Sequence, residues 1–457
     1  MKELRIKVSK LMEHVKHLAS AKMRGRMPGD IGYERAARYV ETFFSSVGLE
    51  PMGDDGKYRQ AFTLETNLIK KASVSYTDGK SRTRTLKLGT DFICRGLTGS
   101  GKFVAEPVFV GYACEKGTVS ELEDIDVCGK IALTYKHPAP WQNDVPHELP
   151  REKAHRLKKY GAVALAVVPN PNRSAQDRLS ASLMEKDTIL PDFPMIVLSE
   201  DFSTEIFNQN GMTASSIQYG IDIQNESRSM ALPGSFNLDI STESNLCGSC
   251  WNIVGLLKGR NPTLENEAIV IGAHLDHVGI QAEDIIFYGA QDNASGVSAL
   301  LEIARLFSMN PRPARSILFV VFGAEESGLI GARHYEKYPV WPMNQVKAMF
   351  NLDCMGAGDG LDVRGRNRYP ELFERFDRIN REEFVIPDTN ADHPAGGADA
   401  EPFENAGIPN MFVVSRNPYK HLHLQTDLPH TLNPELFQKI SNLVFRTVAE
   451  MAEIPLR

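Results

Sequence analysis

From about residue 250 onward, apolar runs and amphipathic stretches take turns. AIVIGA, SILFVV, KAMFNL and NMFVVS are short, continuous apolar segments. They have the length and texture of strands buried on both faces. Between them lie ASGVSALLEIARLFSM, SGLIGARHYEKY and PELFERFDRINREE, and PELFQKISNLVFRTVAEMAE follows the last. These carry apolar residues at helical spacing. Strands alternating with helices predict an α/β fold: a mostly parallel, mixed sheet covered by helices on both faces. Sites in such sheets lie at the carboxyl ends of the strands.

The first 65 residues or so read as helices, KLMEHVKHLASA and YERAARYVETFFSSVG, joined by a loop at RGRMPGDIG, with Gly48 as the stop of the second. The texture changes between about 100 and 235. KFVAEPVFVGY, GKIALTYK, AVALAVVPN and FPMIVLS are short β-rich runs, and REKAHRLKKYG is the one helical stretch read there. Loops at NPNRSAQ and ESRSMALPGS bound a module with its own core. The expected division is 1–100 and 236–457 for one discontinuous domain and 101–235 for an insertion.

A chain of 457 residues, 42% hydrophobic and 24% charged, buries enough apolar surface to fold without disulfides or a structural metal. The net charge of −7 gives no basic footprint for nucleic acid or an anionic membrane. No apolar run reaches membrane-spanning length. The N-terminus lacks the continuous apolar core of a signal peptide. As written the chain is expected in the cytoplasm, and in a secreted or periplasmic location if a leader has been removed. The six cysteines are scattered, and Cys247-Gly-Ser-Cys250 lacks the second pair of a zinc knuckle. It reads as two free thiols or a local disulfide.

Polar residues follow the strand ends with a regularity that packing does not explain. His274, Asp276 and His277 follow AIVIGA; Glu325 and Glu326 follow SILFVVFGA; Asp353 follows AMFNL. GAQDNASGV puts Asp292 just before a helix, and KHLHLQTD, with His421 and His423, follows the strand MFVVS. Singly, each has an ordinary reading: a structural histidine, a helix cap, a solvated first-turn glutamate. Together, imidazoles and carboxylates at one rim form a mixed N/O ligand set suited to zinc, cobalt or manganese. Clustered carboxylates also imply positive charge nearby.

AHLDHVG, GAQDNASGV, FGAEESGLIGARHY, NLDCMG and HLHLQTD, in this order, resemble the two-zinc aminopeptidases of metallopeptidase family 28, of the bacterial leucyl aminopeptidase kind. The resemblance takes in GRMPGDIGYERAARYV and covers most of 10–100 and 235–457. The middle segment resembles the protease-associated domain that many members carry as an insertion, most tellingly at IDVCGKIALTYK and KKYGAVALAVV. The resemblance implies a zinc peptidase/phosphorylase-like fold and two Zn2+ ions, with cobalt or manganese as alternatives. It implies that His274 and Asp353 hold one ion, Glu326 and His423 the other, and that Asp292 bridges them. Glu325 becomes the general acid/base, and Asp276 a partner of the His274 ring that fixes its tautomer. His421 competes with His423, and the H-x-x-x-D spacing from His423 to Asp427 favours His423.

The chain departs from the family pattern at Gln291, where Asp is common, and at Ala398-Asp399-Ala400, where many members read Ser-Asp-His. The role of Asp399 stays open between a site residue and a cap of the following helix. Cys354 reads as a buried thiol turned away from Asp353 by strand alternation. The implied activity is hydrolysis at the free N-terminus of peptides, with carboxypeptidase or dipeptidase action on the same two-zinc site as the alternative. A glutaminyl cyclase fits less well, because that enzyme normally binds one zinc and lacks the inserted domain, and a non-catalytic receptor of the same superfamily fits less well, because the full ligand set and the base are present. N-terminal preference, native metal and oligomeric state are not encoded in any motif.

Overall fold

The computed structural model describes residues 5–453 apart from 97, 116–119, 138, 140–149, 172–178, 184–189, 389–393 and 417–418. The loop expected at NPNRSAQ falls largely outside the described residues. Internal contacts divide the chain into two compact units. The first comprises Met1–Leu64, Cys247–Gly279 and Phe287–Arg457; the second comprises Glu65–Leu246 and Ile280–Ile286.

In the first unit, Ser316–Phe322, Ala268–His274, Val346–Leu352 and Asn410–Ser415 lie side by side in that order, all parallel. The end of Ser235–Leu257 pairs antiparallel with one side (Ile253 opposite Val321), and Leu361–Arg364 pairs antiparallel with the other. Every residue of Ala268–His274 and of Ser316–Phe322 is buried, which is why these strands read as unbroken apolar runs. Alternate residues serve opposite faces. Ile269, Ile271, Ile317 and Phe319 pack with Val297, Leu300, Leu301 and Ala304 of helix Gly296–Met309. Val270, Leu318, Val320 and Phe322 pack with Ala332, Tyr335 and Phe403. Both faces are thus covered, as the alternating pattern predicts.

The strand order positions the site. The next two strands of the first unit, Ser316–Phe322 and Val346–Leu352, lie on opposite sides of Ala268–His274, so the winding reverses there. A crevice opens at the carboxyl end of such a strand, and that end is His274. Among the N-terminal helices, Ile31–Ser46 starts at Asp30, whose carboxylate accepts from the Gly32 N–H at 2.7 Å, and Gly48 follows it in the left-handed region (φ 73°).

The second unit has its own sheet. Pro107–Phe109, Ile131–Tyr135, Ala164–Val168 and Met195–Leu198 run parallel in that order, with Met230–Ala231 and Phe92–Cys94 antiparallel at the edges. The helix expected at REKAHRLKKYG spans Pro150–Lys159. Two further helices, Glu200–Gln209 and Ala214–Asp222, were not expected in a segment read as β-rich. Phe202, Ile206, Phe207, Ile217 and Ile221 bury their apolar faces. The segment 101–235 lies within this unit, which also takes in 65–100 and 236–246. Strand pairing explains that width: Gly101–Ala105 pairs with residues 236–240, and Thr83–Leu86 with residues 74–77. Among the described residues no helix is long and apolar enough to cross a membrane.

Candidate metal centre

Three parallel strands of the first unit end at one rim and deliver His274, the Glu325-Glu326 pair and Asp353. Asp292 comes from the turn that leads into helix Gly296–Met309, and His423 from the segment after Asn410–Ser415. His274, Asp292, Glu326 and Asp353 are at most 9% exposed.

The side chains form two groups that share one residue. In the first, His274 Nε2 lies 3.3 Å from Asp292 Oδ1 and 3.3 Å from Asp353 Oδ1. In the second, His423 Nε2 lies 3.0 Å from Asp292 Oδ2 and 3.1 Å from Glu326 Oε2. His277 joins the second group, with Nδ1 2.9 Å from Glu326 Oε1 and 3.8 Å from Asp292 Oδ2. The donors of each group lie within 4.8 Å of one another. Donors around a tetrahedral zinc at about 2.0–2.2 Å stand roughly 3.3–3.6 Å apart. The observed spacings bracket that value, and the N/O donor set suits zinc, so the residues present fit the metal. Sequence reasoning assigned five of these residues as ligands; it named His277 at the same strand end but gave it no role. His421 does not reach either group; its Nδ1 bonds the Thr426 hydroxyl at 2.8 Å.

The electrostatics demand positive charge. Burial works against the charged forms, yet the His274 and His423 rings are held well above the ordinary histidine range. Glu325, Asp353 and Asp292 act on His274, and Glu326 and Asp292 on His423. In return, and again against burial, Asp292 is held well below the usual carboxylate range by His274 and His423, and Glu326 is brought down to about 2, chiefly by His423. Glu325 is the exception. Its half-buried side chain belongs to neither group. Burial together with the carboxylates of Asp399, Glu326 and Asp353 pushes its pKa well up, against the pull of His274.

Asp276 does something other than the resemblance implies. Its Oδ1 is 3.9 Å from His274 Nδ1, whereas its backbone carbonyl is 3.2 Å away and is the ring's partner. The carboxylate instead accepts the N–H groups of Glu325 at 3.0 Å and Glu326 at 3.1 Å. It therefore orients the turn that carries the base and a ligand.

Two further residues fix the Asp292 turn. The Asp427 carboxylate accepts the N–H groups of Gln291 (2.8 Å) and Asp292 (3.2 Å) and the Tyr419 hydroxyl (2.6 Å). The fully buried Arg26 guanidinium uses all five of its N–H groups on backbone carbonyls. Nε donates to Leu275, Nη1 to Leu18 and Tyr288, and Nη2 to Gly289 and Asp292, at 2.7–3.3 Å. One side chain thus ties the end of the His274 strand to the Asp292 turn. Gln291, at the position of a departure from the family pattern, donates to the Cys354 carbonyl (2.5 Å) and accepts the Gly356 N–H (2.7 Å). It joins the same turn to the Asp353 segment.

Cys354 corrects an expectation. The strand ends at Leu352, and Cys354 adopts a left-handed φ of 52°, so alternation does not continue. Its thiol stays beside the carboxylates, where burial and then Asp353, Asp292 and Asp427 hold it protonated. Asp399 is fully buried and makes no capping bond to the following helix; neither carboxylate oxygen has a hydrogen-bond partner among the described residues. Burial, reinforced by Asp276 and Asp353 against His274, raises its pKa well above the usual carboxylate range. Neither Cys247, which is exposed, nor Cys250, which is buried, is in a disulfide.

Known proteins are similar to this chain in sequence and in fold. A probable lipoprotein aminopeptidase, LpqL, of Mycobacterium tuberculosis is 23% identical over 96% of this chain and 81% of its own length. The aminopeptidase YwaD of Bacillus subtilis is 28% identical over 44% of each chain. Among solved structures, an aminopeptidase from Aneurinibacillus sp. strain AM-1 superposes with a TM-score of 0.67 at 20% identity, covering 99% of this chain and 97% of its own. A zinc aminopeptidase from Bacillus subtilis does so with a TM-score of 0.65 at 18% identity, covering 99% and 97%. The fold is shared with these structures. Residues 252–448, which include His274, Asp292, Glu325, Glu326, Asp353 and His423, match the model of Peptidase family M28.

Proposed function

We propose that the protein is a metal-dependent exopeptidase that removes N-terminal residues from peptides, with two zinc ions and Glu325 as general base. The observation that carries this reading is the division of Asp292. Its Oδ1 faces His274 and its Oδ2 faces His423, so one carboxylate serves two donor groups. His274, Asp292 and Asp353 would hold one ion; Asp292, Glu326 and His423 would hold the other. Bound there, two divalent ions supply a lowered pKa for water and polarisation of a peptide carbonyl. Glu325 takes the proton from the attacking water and returns it to the leaving amine. Asp276 holds the Glu325 backbone so that the carboxyl meets the reacting centre in a fixed orientation. Positive charge in the two groups draws Glu325 back from its raised pKa toward the ionised form that a base requires.

Segment 101–235 is read as an inserted protease-associated domain. All the donors come from the first unit, so its removal is expected to leave cation binding intact.

The test uses metal-loaded protein and matched peptides with a free, an acetylated or an amidated terminus. Loss of cleavage on N-acetylation alone supports the aminopeptidase. Loss on C-amidation alone points to carboxypeptidase action instead. Glu325→Gln should abolish turnover with metal content unchanged; near-normal turnover removes Glu325 from the base role.

A further inference from the structure

The two donor groups are unequal. The His274 group holds one imidazole and two carboxylates, whereas the His277 group holds two imidazoles and two carboxylates. We propose that His277 is a direct ligand through Nδ1, so that the Glu326 position is closed by four protein donors while the His274 position keeps one place open. This rests on the two-ion reading above and assigns each position a different task.

The geometry carries the proposal. His277 is fully buried, and its Nδ1 faces the same two carboxylates as His423 Nε2. Glu326 presents Oε1 to one ring and Oε2 to the other. The rings stand edge to face, with centroids 5.5 Å apart at 74°, so both nitrogens converge without stacking. The opposite nitrogen, Nε2, is buried and has no hydrogen-bond partner among the described residues. No second acceptor therefore competes for the ring, and neither neutral tautomer satisfies both nitrogens by hydrogen bonding alone. Four donors match a closed zinc site, and three leave a position for water or substrate. The ion beside Glu326 is then anchored, and the open position lies on the His274 side.

Cobalt-loaded protein reads the ligand count directly, because ring N–H protons of imidazoles bound to cobalt show large hyperfine shifts. Three shifted, exchangeable resonances are expected in the wild type, from His274, His277 and His423, and two in His277→Ser. Two in the wild type overturns the proposal, and this count needs no folded variant. Dialysis against graded chelator, followed by metal analysis, gives the second readout. The wild type should retain one ion per chain after losing the other, and His277→Ser should weaken the retained ion by at least ~10–100-fold. Equal affinities for both ions in the wild type also overturn it. If no cobalt binds, the two-ion reading itself fails, which separates that failure from the failure of His277 as a ligand.

Discussion

Replacing Arg26 by lysine should loosen the metal-site turn from a distance. The guanidinium satisfies five carbonyls, three of them at Tyr288, Gly289 and Asp292, with no exposure to solvent. Lysine brings three donors, so at least two carbonyls lose their partner. Each buried orphan costs about 1–3 kcal/mol, so roughly 2–6 kcal/mol of local stability is lost. Even about 2 kcal/mol raises the population of a local opening roughly 30-fold. Hydrogen exchange read by mass spectrometry should show that acceleration in amides of 287–296, with Ser316–Phe322 as the internal reference. Burial pulls the Arg26 pKa down, opposed by Asp292, Asp427, Asp276 and Glu326; lysine brings the same charge, so the substitution reads the lost hydrogen bonds. Unchanged exchange in 287–296, in a variant that folds, would falsify the tethering role. Uniform acceleration across the sheet refutes its local character.

Asp276→Asn leaves one acceptor for the two N–H groups of Glu325 and Glu326 and sets an amide N–H against the other. Activity is expected to fall by about 10–100-fold with the fold intact, and steady-state kinetics beside circular dichroism checks it. Stripping bound metal should lower stability, and adding zinc back at 100 times its Kd should restore about 2.7 kcal/mol per site; a melting temperature indifferent to zinc contradicts the proposed site. In the second unit, Glu121 accepts the N–H groups of Tyr112 and Cys114 at 2.7 and 3.1 Å, and burial raises its pKa to about 7. A carboxyl raised on folding binds more protons in the native state, so its contribution is full below the unfolded pKa near 4.5 and is lost as pH climbs through about 7. The loss is on the order of 3 kcal/mol. Urea unfolding at pH 5 and pH 8 should show it in the wild type and not in Glu121→Gln; equal slopes rule it out.

The parallel sheet was legible because its strands are buried on both faces and are dominated by apolar residues. The ligand candidates were legible because polar residues recur where those strands stop. His277 was named but given no role, because the strand ends at His274 and beyond that point spacing no longer says which way a side chain turns. Arg26 escaped for a related reason: it ends the short 3-10 turn Ala21–Arg26 at a positive φ of 51°, in a segment that reads as a loop, and an arginine there gives no sign that it will be enclosed. Cys354 was misdirected by extending alternation past a strand end into a left-handed residue. The helices Glu200–Gln209 and Ala214–Asp222 follow a run of short strands, whose texture masked the change of period. Asp276 was found, but its partner depends on which of its oxygens the fold brings to the ring, and residue spacing carries no such information.

Asp292 has a thermodynamic consequence beyond its position. Because its two oxygens belong to different donor groups, occupancy of one group orients the carboxylate for the other. The two binding equilibria are therefore linked, and the linkage is reciprocal: whatever factor the first ion confers on the second, the second confers on the first. On the two-ion reading, the two steps of loading are then coupled through a single side chain even where the two positions differ in affinity. A titration fitted with two independent constants would misstate both.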